Sequence, residues 1–188
     1  MHETRIVNGS PAIVIDVDTM RKSDAFTIAN CISGQILMGR AAKGVLDAVT
    51  WQEPVAILAG GGNNGGDGYA LSCLLAKRGI RPQVYQLSEK LSPDGAYYRQ
   101  QALQLEIPIT PWTGNVSLDS YEIVVDAILG TGFQGSVRGL AREAIAKINA
   151  SGAYIVSVDI PSGLHGDTGE GELAVHADLT VSIGYRCV

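Results

Sequence analysis

Between Ala59 and Gly68 the chain runs Gly60-Gly61-Gly62-Asn63-Asn64-Gly65-Gly66-Asp67-Gly68, glycines interrupted by two carboxamides and one carboxylate. A loop of this composition turns tightly, admits positive φ and lets backbone N–H groups approach a ligand, because most of its positions lack a Cβ. Followed by a helix, it faces that helix's positive end, which suits a phosphate or another anion. The amide oxygens of Asn63 and Asn64 suit a cation or a carboxamide as well. Two further polar clusters stand out. One is Asp126-Ala127-Ile128-Leu129-Gly130-Thr131-Gly132-Phe133-Gln134-Gly135-Ser136. The other is Asp159-Ile160-Pro161-Ser162-Gly163-Leu164, followed by Asp167-Thr168-Gly169.

These residue types support a definite chemistry. Asn64 Oδ1, the Asp126 carboxylate and an oxygen of Ser162 are hard donors with one formal charge among them. That is too little charge for a bare divalent ion and matches K⁺ better. Asp159 is placed to act as general acid or base if burial raises its pKa. Gly130 to Ser136 offers backbone N–H groups to a pyrophosphate. Each piece also has an ordinary explanation. Gly-x-Gly-x-x-Gly at Gly60, Gly62 and Gly65 is weak evidence for a dinucleotide site. An Asp after a strand is commonly a turn former or helix cap, and Asp159-Ile160-Pro161-Ser162-Gly163 reads equally as an Asx turn stiffened by proline. The joint occurrence favours function, since turns alone need no carboxylates and amide oxygens at successive strand ends.

The elements that must position these residues follow from apolar patterning. Runs fit for buried strands lie at Val55–Leu58, Gln83–Leu87, Ile123–Ile128, Tyr154–Val158 and Leu179–Ile183. Helical stretches separate several of them, at Tyr69–Arg78, Pro93–Leu105 and Ala141–Ala150. Ahead of the first strand, Asp18 or Ser10 caps a helix in which Met20, Ala25, Ile28 and Ala29 recur at helical spacing. A second helix over Gln35–Thr50 carries a stripe of Ile36, Leu37, Ala41, Val45, Leu46 and Val49. Strands that are apolar throughout and alternate with helices predict a parallel sheet covered on both faces, beginning near residue 54. Ligands of such sheets bind beyond the carboxyl ends of the strands, where the three polar clusters fall.

A length of 188 residues allows one α/β domain and is short for two, so residues 1–188 are expected to form a single domain with residues 1–52 packing on it as helices. No apolar run is long enough to span a bilayer and the N-terminus has no signal-peptide pattern, which predicts a cytoplasmic protein that does not use a membrane. A net charge of −5 argues against nucleic acid as the main partner. Cys31, Cys73 and Cys187 lack Cys-x-x-Cys spacing and fit reduced core thiols; His2, His165 and His176 lack metal-ligand spacing.

Taken together, three blocks resemble the NAD(P)H-hydrate epimerases, the N-terminal domain type of the YjeF family. They are Gly60–Gly68 with its Asn-Asn-Gly-Gly-Asp core, Val125-Asp126-Ala127-Ile128-Leu129-Gly130-Thr131-Gly132, and Val158-Asp159-Ile160-Pro161-Ser162-Gly163 with Asp167-Thr168-Gly169. The Met20-Arg21-Lys22-Ser23-Asp24 and Ile28-Ala29 segments are similar too, and the likeness covers roughly residues 14 to 183. It implies a three-layer Rossmann-like α/β fold with a mostly parallel central sheet and helices on both faces. It also implies an isomerase of metabolite repair whose substrate is hydrated NADH or NADPH, carrying water at C6 of the nicotinamide ring. The reaction interconverts the R and S forms so that a companion ADP/ATP-dependent dehydratase can repair both. By the same resemblance Asn63, Asn64, Gly65, Gly66 and Asp67 contact substrate. Gly130, Thr131, Gly132, Phe133, Gln134, Gly135 and Ser136 wrap its phosphates, Asp159 lies at the reacting ring, and Asn64, Asp126 and Ser162 bind K⁺. A homodimer is expected.

The chain departs from the family pattern twice. Met38-Gly39-Arg40-Ala41 stands where a Met-Glu-Asn-Ala segment is usual. After Val181-Ser182-Ile183-Gly184 the sequence closes with Tyr185-Arg186-Cys187-Val188, where the family continues into a further strand, so the C-terminal end reads as truncated. A nicotinamide-dependent dehydrogenase is a rival reading, with Glu89 as the acid expected after the glycines, but it leaves Asn63-Asn64 unexplained. A non-catalytic nucleotide-binding or scaffold module of the same fold is the other. No Gly-x-x-x-x-Gly-Lys-Ser/Thr or Gly-x-Ser-x-Gly pattern supports an NTPase or a serine hydrolase.

Overall fold

The computed structural model describes residues 16–183. Six parallel strands form one sheet: β1 (Val55–Ala59), β2 (Gln83–Gln86), β3 (Ile109–Pro111), β4 (Ile123–Ala127), β5 (Tyr154–Val158) and β6 (Leu179–Val181). Their spatial order is β3-β2-β1-β4-β5-β6. Chain direction across the sheet reverses between β1 and β4, which pair from Val55↔Ile123 to Ala59↔Ala127. That switch point opens a crevice at the carboxyl ends, where ligands of doubly wound sheets sit. β1 and β4 are buried at every position, as continuous apolar runs in a central parallel strand must be.

Alternate strand residues feed two cores. Ile57, Val125 and Val156 face α2 (Gly34–Ala48), α3 (Asn63–Lys77) and α4 (Pro93–Gln104). Ala56, Leu58, Val124 and Ile155 face α5 (Gly139–Ala150) with Trp112, Leu118 and Val175. The three-layer arrangement is therefore as expected. α1 (Val17–Asn30) adds nothing to either core; Thr27 is its one buried residue, and Phe26 and Ile28 are exposed. The anticipated Met20/Ala25/Ile28/Ala29 stripe does not pack. In α2 the buried face is Met38, Ala42, Val45 and Leu46, while Ile36 is exposed.

Several boundaries differ from the sequence reading for physical reasons. The cap of α1 is Asp16, whose carboxylate accepts from Thr19 N–H at 2.7 Å, and Asp18 falls in the first turn. Ser10 and Cys187 lie outside the described residues. Cys31 is exposed at the end of α1 rather than a core thiol; Cys73 is buried. β3 escapes patterning because it is three residues long and ends in proline, as edge strands can. The largest correction concerns the glycine loop, which spans only Gly60–Gly62. Helix α3 begins at Asn63, so Asn64 to Gly68 is helical. Its glycines serve close packing. A Cβ on Gly65 would lie 1.9 Å from Gly60 O, and one on Gly66 2.6 Å from the Met38 side chain.

Candidate active site

The parallel order β1-β4-β5 sets three strand ends side by side. From β4, the Asp126 carboxylate is fully buried and accepts four hydrogen bonds. Oδ1 takes Ile128 N–H (3.3 Å) and Ser162 Oγ–H (2.5 Å); Oδ2 takes Ser157 Oγ–H and Ser162 N–H (both 2.8 Å). Ser162 Oγ in turn accepts from Leu129 N–H at 2.8 Å. Asp126 thus ties the β4 turn to the turn after β5. Burial pushes its pKa up and the donors from Ser162, Ser157 and Ile128 pull it down. Ser157 was not foreseen as functional; its one signal in the sequence is a hydroxyl inside an otherwise apolar strand.

Asp159 follows β5 with φ +70°, the left-handed region that a non-glycine residue enters at a cost. Two contacts hold it there. Its N–H donates to Val181 O at 2.9 Å, and its Oδ2 accepts from Thr131 N–H at 2.8 Å. A Cβ on Gly130 would stand 2.8 Å from that oxygen and 3.2 Å from Asn64 Cβ, so Gly130 is the thin wall between Asp159 and Asn64. Burial raises the Asp159 pKa against the opposing Thr131 hydrogen bond.

Asn64 and Asp67 occupy the first turns of α3. Both polar atoms of the Asn64 carboxamide are buried without a hydrogen-bond partner, a costly state that a ligand would relieve. Asp67 is 9% exposed, and its pKa is raised well above the ordinary value by burial, then by Asp159 and Asp24. Asp24, on α1, is raised by burial and by Asp159. A cavity of about 300 Å³ lies against Asp67, Asn63 and Asp24, walled by Leu37, Met38 and Val181. That is at the small end of the usual range for ligand pockets, about 300–1,000 Å³. Gly65 and Gly66 are buried in packing contacts.

The Gly130–Ser136 segment does not line that cavity. Gly132, Gln134, Gly135 and Ser136 are exposed, and the Phe133 ring meets His165 edge-on at 5.8 Å between centroids. Asp159 joins the two regions, bonded to Thr131 on one side and coupled to Asp67 on the other. Sequence reasoning had assigned no role to Arg21 or Asp24. Both sit on a helix far away in sequence, and no spacing rule points from there to the strand ends.

The three residues expected to hold K⁺ offer hard oxygen donors, of which Asp126 and Ser162 are already bonded to each other. Asn64 supplies an unpartnered buried amide oxygen, and Asp126 is a buried carboxyl that no Lys or Arg among the described residues pairs with. No cluster of three or more His, Cys, Asp or Glu suited to a metal occurs among the described residues. No described helix is long and apolar enough to cross a membrane.

Comparison with known proteins agrees with this geometry. The family described as YjeF-related protein N-terminus matches residues 34–186. The chain is 33% identical over 182 residues to the NAD(P)H-hydrate epimerase of Limosilactobacillus reuteri, covering 93% of this chain and 86% of that protein. It is 35% identical to the protein of the same name in Limosilactobacillus fermentum, covering 89% and 83%. The bifunctional NAD(P)H-hydrate repair enzyme Nnr of Coxiella burnetii is 35% identical, and the match takes up 35% of its length. Among solved structures, the yeast protein ynu0 superposes with a TM-score of 0.76 at 25% identity, over 90% of this chain and 79% of that one. This chain belongs to the YjeF-related N-terminal family.

Proposed function

We propose that the chain is an NAD(P)H-hydrate epimerase, interconverting the R and S forms of hydrated NADH and NADPH. The observation that carries this reading is Asp159, held at positive φ with a raised pKa beside the unpartnered amide of Asn64. Curated relatives named for that activity match nearly the whole chain. In the mechanism, protonated Asp159 gives its proton to the C6 hydroxyl. The C6–O bond breaks, water departs, and the ring nitrogen lone pair takes up the positive charge. Water then adds to either face of C6 and returns a proton to the Asp159 carboxylate, so no net proton is consumed. The Asn64 carboxamide and Asp67 bind the ring; Gly130 to Ser136 offer N–H groups to the phosphates. Asn64, Asp126 and Ser162 would hold K⁺, which supplies charge compensation for the buried Asp126.

The test is a chiral separation of hydrated NADH epimers over time, with purified chain in K⁺ and in Na⁺. Rapid equilibration, faster in K⁺, is expected. A folded chain that equilibrates the epimers no faster than buffer would refute the epimerase, and equal rates in the two salts would refute the cation site alone. The bifunctional repair relatives support a companion enzyme that consumes one epimer, here a dehydratase. A homodimer, read by sedimentation, completes the proposal.

A further inference from the structure

Three carboxylates at this site, Asp24, Asp67 and Asp159, lie close enough to raise one another's pKa values. The chain as a whole carries −5. On the epimerase reading, on which this inference rests for the identity of the ligand, the substrate adds a pyrophosphate. That pyrophosphate is a fixed anion, and the Gly130–Ser136 segment has no charged side chain to meet it.

Arg21 is the cation that the fold brings to the Gly130–Ser136 segment. It lies in the second turn of α1, and its Nη2 donates to Gly132 O at 3.4 Å. A Cβ on Gly132 would stand 3.2 Å from that nitrogen, so glycine there leaves room for the guanidinium. The start of α1 is seated by separate devices. Val17 N–H donates to Asp167 Oδ1 at 2.8 Å, and a Cβ on Gly166 would stand 2.6 Å from Val17 Cγ2. Core packing does not explain this seating, because α1 buries only Thr27. What the seating achieves is to hold Arg21 over a loop in which Gly132, Gln134, Gly135 and Ser136 are exposed. Arg21 is exposed, and its bond to Gly132 uses one of five guanidinium donors.

We propose that Arg21 binds the substrate's pyrophosphate against the Gly130–Ser136 backbone, supplying the positive charge that the loop itself lacks. A guanidinium fork is suited to two phosphate oxygens at once, which an ammonium is not. The probe is ADP-ribose, which keeps the pyrophosphate and lacks the nicotinamide ring. Calorimetric titration of the wild-type chain, Arg21→Gln and Arg21→Lys is expected to give a Kd raised about tenfold or more by Gln and less by Lys, with a weaker salt dependence in Arg21→Gln. In the epimerase assay KM for hydrated NADH rises with Gln while kcat stays within about twofold. Unchanged Kd and KM in Arg21→Gln overturns the proposal. So does a lowered melting temperature with unchanged KM, which marks a seating role for α1 and nothing more. A wild-type chain that binds ADP-ribose in an Arg21-dependent way but never epimerises would refute the proposed function and leave this inference standing.

Discussion

At the scale of single residues, the site is organised by carboxylates that burial keeps from ionising easily. Asp159 is the one bonded to the loop proposed to meet the substrate, and its raised pKa favours the protonated form that the proposed first step requires. Asp159→Asn should lower kcat by about 10²- to 10⁴-fold in the chiral assay, the usual span for a lost general acid. The wild-type rate should fall as pH rises through the raised pKa. Asp67 makes a different prediction. Its folded pKa is raised, so the folded chain holds a proton that the unfolded chain releases. The linked stability is fully present below the ordinary value of 3.8 and is lost as pH rises through the folded pKa. Asp67→Asn should therefore melt a few degrees above wild type at neutral pH, with the gain shrinking on acidification. A melting series across pH reads it, and a mutant less stable at neutral pH would show that Asp67 is favourably paired. Asp67 and Asp159 were legible in the sequence because they interrupt glycine-rich stretches beside apolar runs. Ser157 and Asp24 were not, since each looks like an ordinary strand or helix residue until tertiary neighbours appear.

At the scale of elements, the start of α3 matters most. Gly60–Gly62 turns the chain out of β1, and the helix then begins at once at Asn63. Glycine at 60 is demanded by β4's turn: a Cβ there would lie 2.0 Å from Ile128 O, whereas one on Gly62 would meet nothing within 4 Å. Gly60→Ala should cost about 1–3 kcal/mol, the scale of an overpacked interior, in chemical denaturation. Gly62→Ala should change stability by less than about 1 kcal/mol. Equal effects would mean that close approach is not the reason for glycine at 60. Glycine-rich composition signals a flexible loop and a tightly packed helix start in the same letters, which is why the helix boundary was misplaced by six residues between Tyr69 and Asn63.

For the molecule as a whole, stability is unevenly spread. β1 and β4 lie at the sheet centre with both faces covered, whereas α1 is held by a few polar contacts at its start. Native-state hydrogen exchange should show β1 and β4 amides exchanging only through global unfolding, and α1 amides through small local openings. Saturating ADP-ribose should slow exchange in α1 if Arg21 engages it. Uniform protection of α1 and β4 without ligand would contradict this picture.

The sequence by itself determined the alternation of buried strands and helices, the parallel sheet and the three polar clusters at strand ends. Those are local properties: apolar period, glycine and proline punctuation, and short motifs each depend on neighbours along the chain. Only the tertiary structure decided which clusters share a wall, since that depends on the order β1-β4-β5 and on Gly130 being thin enough to stand between Asn64 and Asp159. It likewise brought Arg21 to Gly132 and Asp24 to Asp159, each from more than a hundred positions away. Contacts across such separations are made by packing and charge in three dimensions, which no period or spacing along a single chain encodes.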